Sequence, residues 1–173
     1  MKNLAGVAIM SVLVSGSTLA GGDPEFVPFP EGYKDGFSNY ATVNRMNGKQ
    51  LARLYANDKA VAGVRAGGET AEGAVVVMEI YKIRKDAEGN PVKDAAGLFV
   101  PEGLAAIAVM QKSGSWPEGF PAGHRAGDWG FALYTPNGEP KPNELECAGC
   151  HIPKKDQDYL FTWSQLKAYV QSR

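Results

Sequence analysis

The middle of the chain contains blocks rich in apolar residues, separated by polar turns, and these blocks predict β-strands. The clearest block covers residues 74–83, which are mostly β-branched and aromatic and lead to a turn rich in Gly, Asn and Pro. Further strands are predicted over 37–43, 104–111 and 128–134. Because turns containing Gly and Pro separate these blocks, the strands are expected to pair as an antiparallel sheet.

Helical signals are few and lie outside the predicted strands. Asn57 is placed to cap a short helix over 58–66. Thr162, with Gln165 three residues later, has the spacing of a capping box for a final helix through Val170. A mainly antiparallel β-sheet core with flanking helices is an α+β fold, and this is the class that the pattern predicts.

The N-terminal segment over 1–20 has the layout of a secretory signal peptide. Lys2 precedes an apolar run over 4–14, and small residues follow up to Ala20, where cleavage is predicted. The apolar run is too short to cross a bilayer, and no later stretch approaches the length of a transmembrane helix, so the mature chain is predicted to have no membrane span. A retained apolar N-terminal helix is the alternative. The remaining residues, 21–173, are predicted to form a single domain that is exported to the periplasm.

The charge balance argues against a nucleic-acid-binding protein. The 173 residues include 18 basic and 19 acidic side chains, which gives a formal net charge of −1. No part of the chain is basic enough to neutralise a phosphate backbone. We therefore expect no nucleic-acid partner.

Candidate chemistry is concentrated in one segment near the C-terminus, which reads CAGCH from Cys147 to His151. It holds the only two cysteines of the chain and one of its two histidines. This spacing is typical of covalent attachment of a c-type haem, in which each sulfur forms a thioether with a vinyl group and the imidazole binds the iron. We predict one haem c bound by Cys147 and Cys150, with His151 as the iron ligand, on a C-terminal attachment helix that begins near Asn143.

A disulfide, a redox-active dithiol and a zinc site are the alternatives to haem for this segment. A disulfide would close a very short loop with little stabilisation, and it gives no role to the histidine. A redox-active dithiol of the thioredoxin type is expected early in a domain, after its first strands. Zinc would need two further ligands, and because there is no third cysteine these would be His124 and a carboxylate.

The position of the attachment segment differs from that of the common helical electron-transfer cytochromes. Those proteins carry the segment near the N-terminus and a methionine ligand further along the chain. Here no methionine follows Cys150, and Met46, Met78 and Met110 are the remaining candidates. Met78 and Met110 lie in apolar strands, where core packing accounts for them. A simple electron carrier is therefore the weakest of the functions considered.

The most distinctive segments of the chain are GDWGF at 127–131, CAGCH at 147–151 and DYLFT at 158–162. Less specific ones are YATV at 40–43, LYAN at 54–57 and VMEIYK at 77–82. Together these segments resemble the cytochrome P-460 family, which also includes the sheet-rich cytochromes c′-beta. The resemblance extends over most of the predicted mature chain.

The resemblance implies a homodimer of mono-haem subunits with a five-coordinate iron, whose vacant position a small molecule can reach. Within the family, the P-460 proteins oxidise hydroxylamine and carry a covalent bond from a lysine to the haem ring. The c′-beta branch lacks this bond and binds gases such as nitric oxide. We predict a hydroxylamine oxidoreductase that forms nitrogen oxides and uses a soluble periplasmic cytochrome c as electron acceptor. A gas-binding c′-beta protein is the alternative.

Lys82 is the candidate for the linking, catalytic lysine that the resemblance implies. On the alternating pattern of its strand it shares a face with Val76, Met78 and Ile80, so its stem would run toward a buried ring. Alternatively, Lys82 marks the polar end of the strand and extends its amine into water. Lys85, on the opposite face of the strand, is the second candidate.

Ala132 is the candidate for the distal pocket of the haem. The strand over 129–134 is expected to line that pocket, and some relatives place a glutamate about where Ala132 stands. An alanine leaves the position without a proton acceptor. Glu79 and Asp128 are expected to be solvated or turn carboxylates, and His124 to be a solvated loop residue.

Overall fold

The computed structural model of the protein describes residues 22–141 and 145–173. The predicted signal peptide lies outside the described residues, and so does Asn143, where the attachment helix is expected to begin. Both therefore stay predictions.

The centre of the fold is one sheet of five antiparallel strands in the order of the sequence, which confirms the predicted α+β class. The strands are β1 Ser38–Asn44, β2 Gln50–Ala56, β3 Val75–Ile83, β4 Pro101–Lys112 and β5 Trp129–Tyr134. The four predicted strands are all present. β2 is an additional strand, which pairs with both β1 and β3.

Alternation along the strands gives the sheet two buried faces. Val76, Met110 and Phe131 lie side by side on one face, which we call the helix face because three helices pack against it. These are α2 Asp58–Arg65, α3 Cys147–His151 and α4 Trp163–Gln171. The opposite face is covered by residues 26–37, which include the short helix α1 Tyr33–Gly36, and by Phe120.

The predicted cap of α2 is confirmed, whereas the predicted capping box of α4 is wrong. The Asn57 side chain accepts a hydrogen bond from the backbone N–H of Ala60 at 3.0 Å. Thr162 precedes α4, but its side chain makes no cap hydrogen bond. Its hydroxyl lies instead 2.6 Å from the hydroxyl of Tyr40 in β1, so a tertiary contact has replaced the local one.

Alkaline conditions are expected to destabilise the fold through its buried phenols. Burial, followed by Glu79, raises the pKa of Tyr81 to about 12, and burial raises the pKa of Tyr134 to about 12. Tyrosines of an unfolded chain ionise near pH 10, so this contribution to stability is complete below about pH 10 and is lost as the pH rises through the folded values. We expect the urea midpoint to fall steadily above about pH 10. A midpoint that stays constant up to about pH 12 would contradict this.

Candidate haem-binding site

The short helix α3 carries both thiols and the histidine of the CAGCH segment. Residues three and four apart lie on one side of a helix, so Cys147, Cys150 and His151 project from neighbouring positions. Five residues do not form a stable helix alone, and Ala148 anchors this one by packing fully into the core on the helix face. The two cysteines are not joined by a disulfide, and Cys150 is exposed. Burial raises the pKa of the Cys147 thiol, and the nearby Cys150 raises it further.

His151 is held in the form that a metal ligand requires. Its Nδ1 lies 2.6 Å from the carbonyl oxygen of Tyr159. Because a carbonyl only accepts, Nδ1 carries the hydrogen and donates it, which leaves the lone pair of Nε2 for a metal. Burial lowers the pKa of His151 although the Tyr159 carbonyl opposes the shift, so the imidazole is neutral at pH 7. The ring packs between Phe131 and Phe161, with centroid distances of 4.8 and 4.9 Å.

Apolar side chains around α3 fit a flat, largely apolar ligand such as a porphyrin. Leu145, Ile152 and Phe161 flank the helix and are each roughly half exposed, although large apolar residues are usually buried. On the helix face, β3, β4 and β5 form a further apolar cluster, which lies two or more residues along the strands from the level of Phe131. This cluster consists of Met78, Ile80, Ala106, Ala108 and Leu133.

Two buried nitrogen atoms near α3 lack partners and fit the carboxylates that a haem carries. Nδ1 of His124 and Nε of Arg125 are buried and have no hydrogen-bond partner among the described residues. The 3₁₀ turn Ala122–His124 packs beside α3. Buried polar atoms are rarely left unsatisfied, and a haem propionate would accept hydrogen bonds from such groups. The residues present therefore fit a covalently attached haem.

The zinc alternative gains no support from the described part of the chain. Within residues 22–141 and 145–173 there is no group of three or more His, Cys, Asp or Glu side chains that could hold a metal ion. His124 does lie near α3, but as a partly buried residue with an unsatisfied Nδ1. A histidine ligand to haem iron does not need such a cluster, because the porphyrin supplies the other donors.

Lys82 lies on the helix face, as its strand pattern indicates, but at the far end of β3. It is exposed and pairs with Gln50 and Gly103. It lies six positions along β3 from Val76, which is level with Phe131, and this corresponds to about 20 Å along a strand. The structure therefore does not bring Lys82 together with His151. Lys85 is exposed and lies beyond the end of β3, so it is not brought to His151 either.

Ala132 lies on the sheet face opposite to the one that His151 contacts. It is buried in the cluster with Val27 and Val109, whereas its neighbour Phe131 packs against the imidazole ring. The structure therefore does not bring Ala132 to the iron-ligand side. Phe131 and Leu133 take that side of β5. Alternation shows from the sequence that Ala132 points away from Phe131, but only the packing of α3 decides which of the two meets His151.

Two buried carboxylates, one behind the site and one on the opposite face of the sheet, were missed or misjudged from the sequence. The expectation that Glu79 is solvated is wrong, because its side chain is fully buried, whereas Asp128 is exposed as expected. Asp158 was not singled out, yet it is buried and contacts the loop and strands behind His151. Strand period could have indicated Glu79, which alternates with the apolar Val77 on an inward face. No local signal marked Asp158.

Replacement of Gly127 by alanine is expected to displace the support of His151. Gly127 has a φ of +58°, and a Cβ atom there would lie 2.6 Å from Cε2 of Tyr159, whose carbonyl orients the imidazole. Gly48 has a φ of +66° with nothing within 4 Å, so Gly48→Ala carries a similar backbone penalty without the clash. We expect Gly127→Ala to lower the free energy of unfolding by about 1–3 kcal/mol more than Gly48→Ala, measured in urea. Equal losses in the two variants would contradict the clash.

Among the described residues, no helix is long and apolar enough to cross a membrane. A search of curated proteins found no match to the chain. The Cytochrome P460 family model matches residues 30–162, a range that contains all five strands and the whole of α3. The match covers most of the chain and agrees with the geometry around His151, and we conclude that the protein is a haem-binding member of the cytochrome P460 family.

Proposed function

We propose that the protein attaches one haem c through Cys147 and Cys150, uses His151 as an axial ligand, and binds nitric oxide or a similarly small, uncharged molecule on the other side of the iron. When bound, the haem supplies a metal centre that coordinates such ligands directly. The side chains of the protein hold the ring and shield it from water. Covalent attachment and ligand binding are parts of this proposal.

The observation that carries the proposal is the uncharged character of the helix face next to α3. Between the level of Phe131 and that of Ile80, the residues that β3, β4 and β5 place on this face are all apolar. An apolar surface admits a neutral diatomic molecule without any cost for desolvating a charge. It provides no group on these strands that could take up protons.

Oxidation of hydroxylamine is the second candidate, and family membership is the observation that favours it. This reaction removes protons and electrons from its substrate, so a proton acceptor near the iron would assist it. The carboxylate of Glu79 lies on the opposite face of the sheet, and that of Asp158 is already paired with Lys112. With Lys82 distant from His151 as well, the arrangement favours ligand binding over turnover.

The position of Lys82 makes a direct test of the two functions possible. We expect the purified holoprotein to have the mass of the chain plus one thioether-linked haem, and the reduced absorption spectrum of an ordinary c-type haem. Lys82→Ala and its matched control Lys85→Ala should both leave the mass of the haem-bearing peptide and the spectrum unchanged. Nitric oxide should bind with one molecule per haem, while hydroxylamine turnover with an artificial electron acceptor stays near background.

A different outcome would contradict ligand binding as the function and favour hydroxylamine oxidation. The decisive result is a haem-bearing peptide that contains Lys82, combined with a shifted main absorption band that Lys82→Ala, but not Lys85→Ala, restores to the ordinary position. Substantial hydroxylamine turnover would have the same meaning. In that case a soluble periplasmic cytochrome c is the proposed electron acceptor.

Two further parts of the proposal concern assembly and location. We propose a homodimer that is exported to the periplasm after removal of the signal peptide. Analytical ultracentrifugation of the holoprotein and N-terminal sequencing of the mature chain test these points. A monomer at micromolar concentration, or a mature chain that retains Met1, would contradict them.

A further inference from the structure

The carboxylate of Asp158 is completely buried and accepts hydrogen bonds from three separate parts of the fold. Oδ2 accepts from the backbone N–H of Thr70 at 2.9 Å and also from its hydroxyl. Oδ1 accepts from Nζ of Lys112 at 2.7 Å and from Nε1 of Trp129 at 3.2 Å. These partners belong to the loop after α2, to β4 and to β5. Four donors on two oxygens leave little freedom of movement for this side chain.

The backbone at Asp158 and the next residue adopts a conformation that needs such support. Asp158 and Tyr159 have φ values of 48° and 59°, and within the described residues they are the only non-glycine residues with positive φ. The left-handed region is unfavourable for a residue with a Cβ atom. Strained conformations of this kind persist where the surrounding contacts fix them. The contacts of Asp158 fix this one.

The left-handed turn determines where the carbonyl group of Tyr159 points. That carbonyl oxygen lies 2.6 Å from Nδ1 of His151, in contact with the nitrogen opposite the one that binds a metal. An acceptor at this position sets the orientation of a ligating imidazole and raises its basicity. Asp158 does not touch His151 itself. It acts through the neighbouring carbonyl.

We propose that Asp158 is a positioning residue for the haem ligand: it locks the turn that presents the Tyr159 carbonyl to His151, and thereby sets the strength of the bond between His151 and the iron. This inference rests on the proposed ligation of haem by His151. It extends that proposal, because it assigns control of the iron's electronic properties to a residue seven positions along the chain from the ligand. Weaker alignment of the carbonyl makes the imidazole a poorer donor, which favours the reduced iron.

The test is Asp158→Asn in the haem-loaded full chain, with Asp156→Asn as the matched control. Asp156 lies in the same segment and is exposed. An asparagine has only one acceptor oxygen, so its NH₂ group would lie against the N–H or O–H donors that now bind one of the Asp158 oxygens. We expect the iron–histidine stretching frequency in the resonance Raman spectrum of the reduced protein to fall, and the reduction potential to rise. Asp156→Asn should leave both at their original values.

Thr70→Val provides a second variant in case Asp158→Asn does not fold. It removes the hydroxyl donor to Oδ2 but leaves the backbone donor, so we expect smaller shifts in the same directions. The proposal is overturned if a folded, haem-loaded Asp158→Asn protein, or failing that Thr70→Val, keeps the original frequency and potential. Failure of the proposed function would look different, because the unmodified protein would then show no iron–histidine band or no haem.

Discussion

Replacement of both Cys147 and Cys150 by serine is expected to abolish covalent haem attachment. These are the only thiols of the chain, so no other residue can form a thioether with the vinyl groups. We expect haem that survives denaturation to fall from about one per chain to background. Haem staining after denaturing electrophoresis and intact mass measure this directly. Each single substitution should leave a product with one thioether and a lower yield.

His151→Ala is the matched control for the cysteine variant, because it keeps both thiols and removes only the proposed iron ligand. We expect covalent haem to be retained in this variant, while its absorption spectrum changes. Added imidazole should restore much of the original spectrum, since it can replace the missing ring. Haem that remains bound after denaturation and solvent extraction in the double cysteine variant would contradict thioether attachment.

Replacement of Glu79 by alanine is expected to cause the largest loss of stability outside the haem site. The buried carboxylate accepts hydrogen bonds from Tyr33 at 2.8 Å, from Tyr81 at 2.7 Å and from Tyr55 at 3.2 Å, and it pairs with Lys34 at 3.0 Å. Removing it leaves three phenols without their acceptor and a cavity behind them. We expect a loss of about 3–5 kcal/mol in the free energy of unfolding, measured in urea.

Tyr33→Phe and Glu79→Gln separate the causes of that loss. Tyr33→Phe removes a single donor and should cost about 1–2 kcal/mol, whereas Glu79→Gln keeps the volume and should give an intermediate loss. Since Glu79 lies on the sheet face opposite to α3, the haem spectrum should remain unchanged in the folded variants. A loss below about 1 kcal/mol for Glu79→Ala would show that the phenols find other acceptors.

The stability that Glu79 provides is also expected to depend on acidic pH. Burial alone would raise the pKa of Glu79, but hydrogen bonds from Tyr81, Tyr33 and Lys34 outweigh it and lower the pKa below its usual value. Its contribution is therefore present above the pKa of an unfolded glutamate, which is about 4.3, and is lost as the pH falls through the folded value. Glu79→Gln should lack this part of the acid-induced decrease in the urea midpoint.

The sequence by itself determined the features whose signals come from residues close together in the chain. Runs rich in apolar, β-branched and aromatic residues between Gly- and Pro-containing turns located β1, β3, β4 and β5, and the Asn57 side chain capped α2 as expected. The CAGCH spacing placed two thiols and an imidazole on one helix, because residues three and four apart always meet on a helix surface. The pattern of each feature is local, although the stability of the five-residue α3 depends on the packing of Ala148 into the core.

Only the tertiary structure decided which of these elements meet. Ala132 and Phe131 are adjacent in sequence, but α3 packs on one face of the sheet. Of these two residues, only Phe131 therefore contacts His151. Lys82 lies on the helix face, as expected, but at the end of β3 that is far from His151. The location of α3 relative to β3 is set by packing and not by alternation. The contacts of Asp158 with Thr70 span 88 positions, and those of Glu79 with Tyr33 span 46. Such pairs are selected by the free energy of the whole fold, because burying either carboxylate is tolerable only when donors from several elements reach it together.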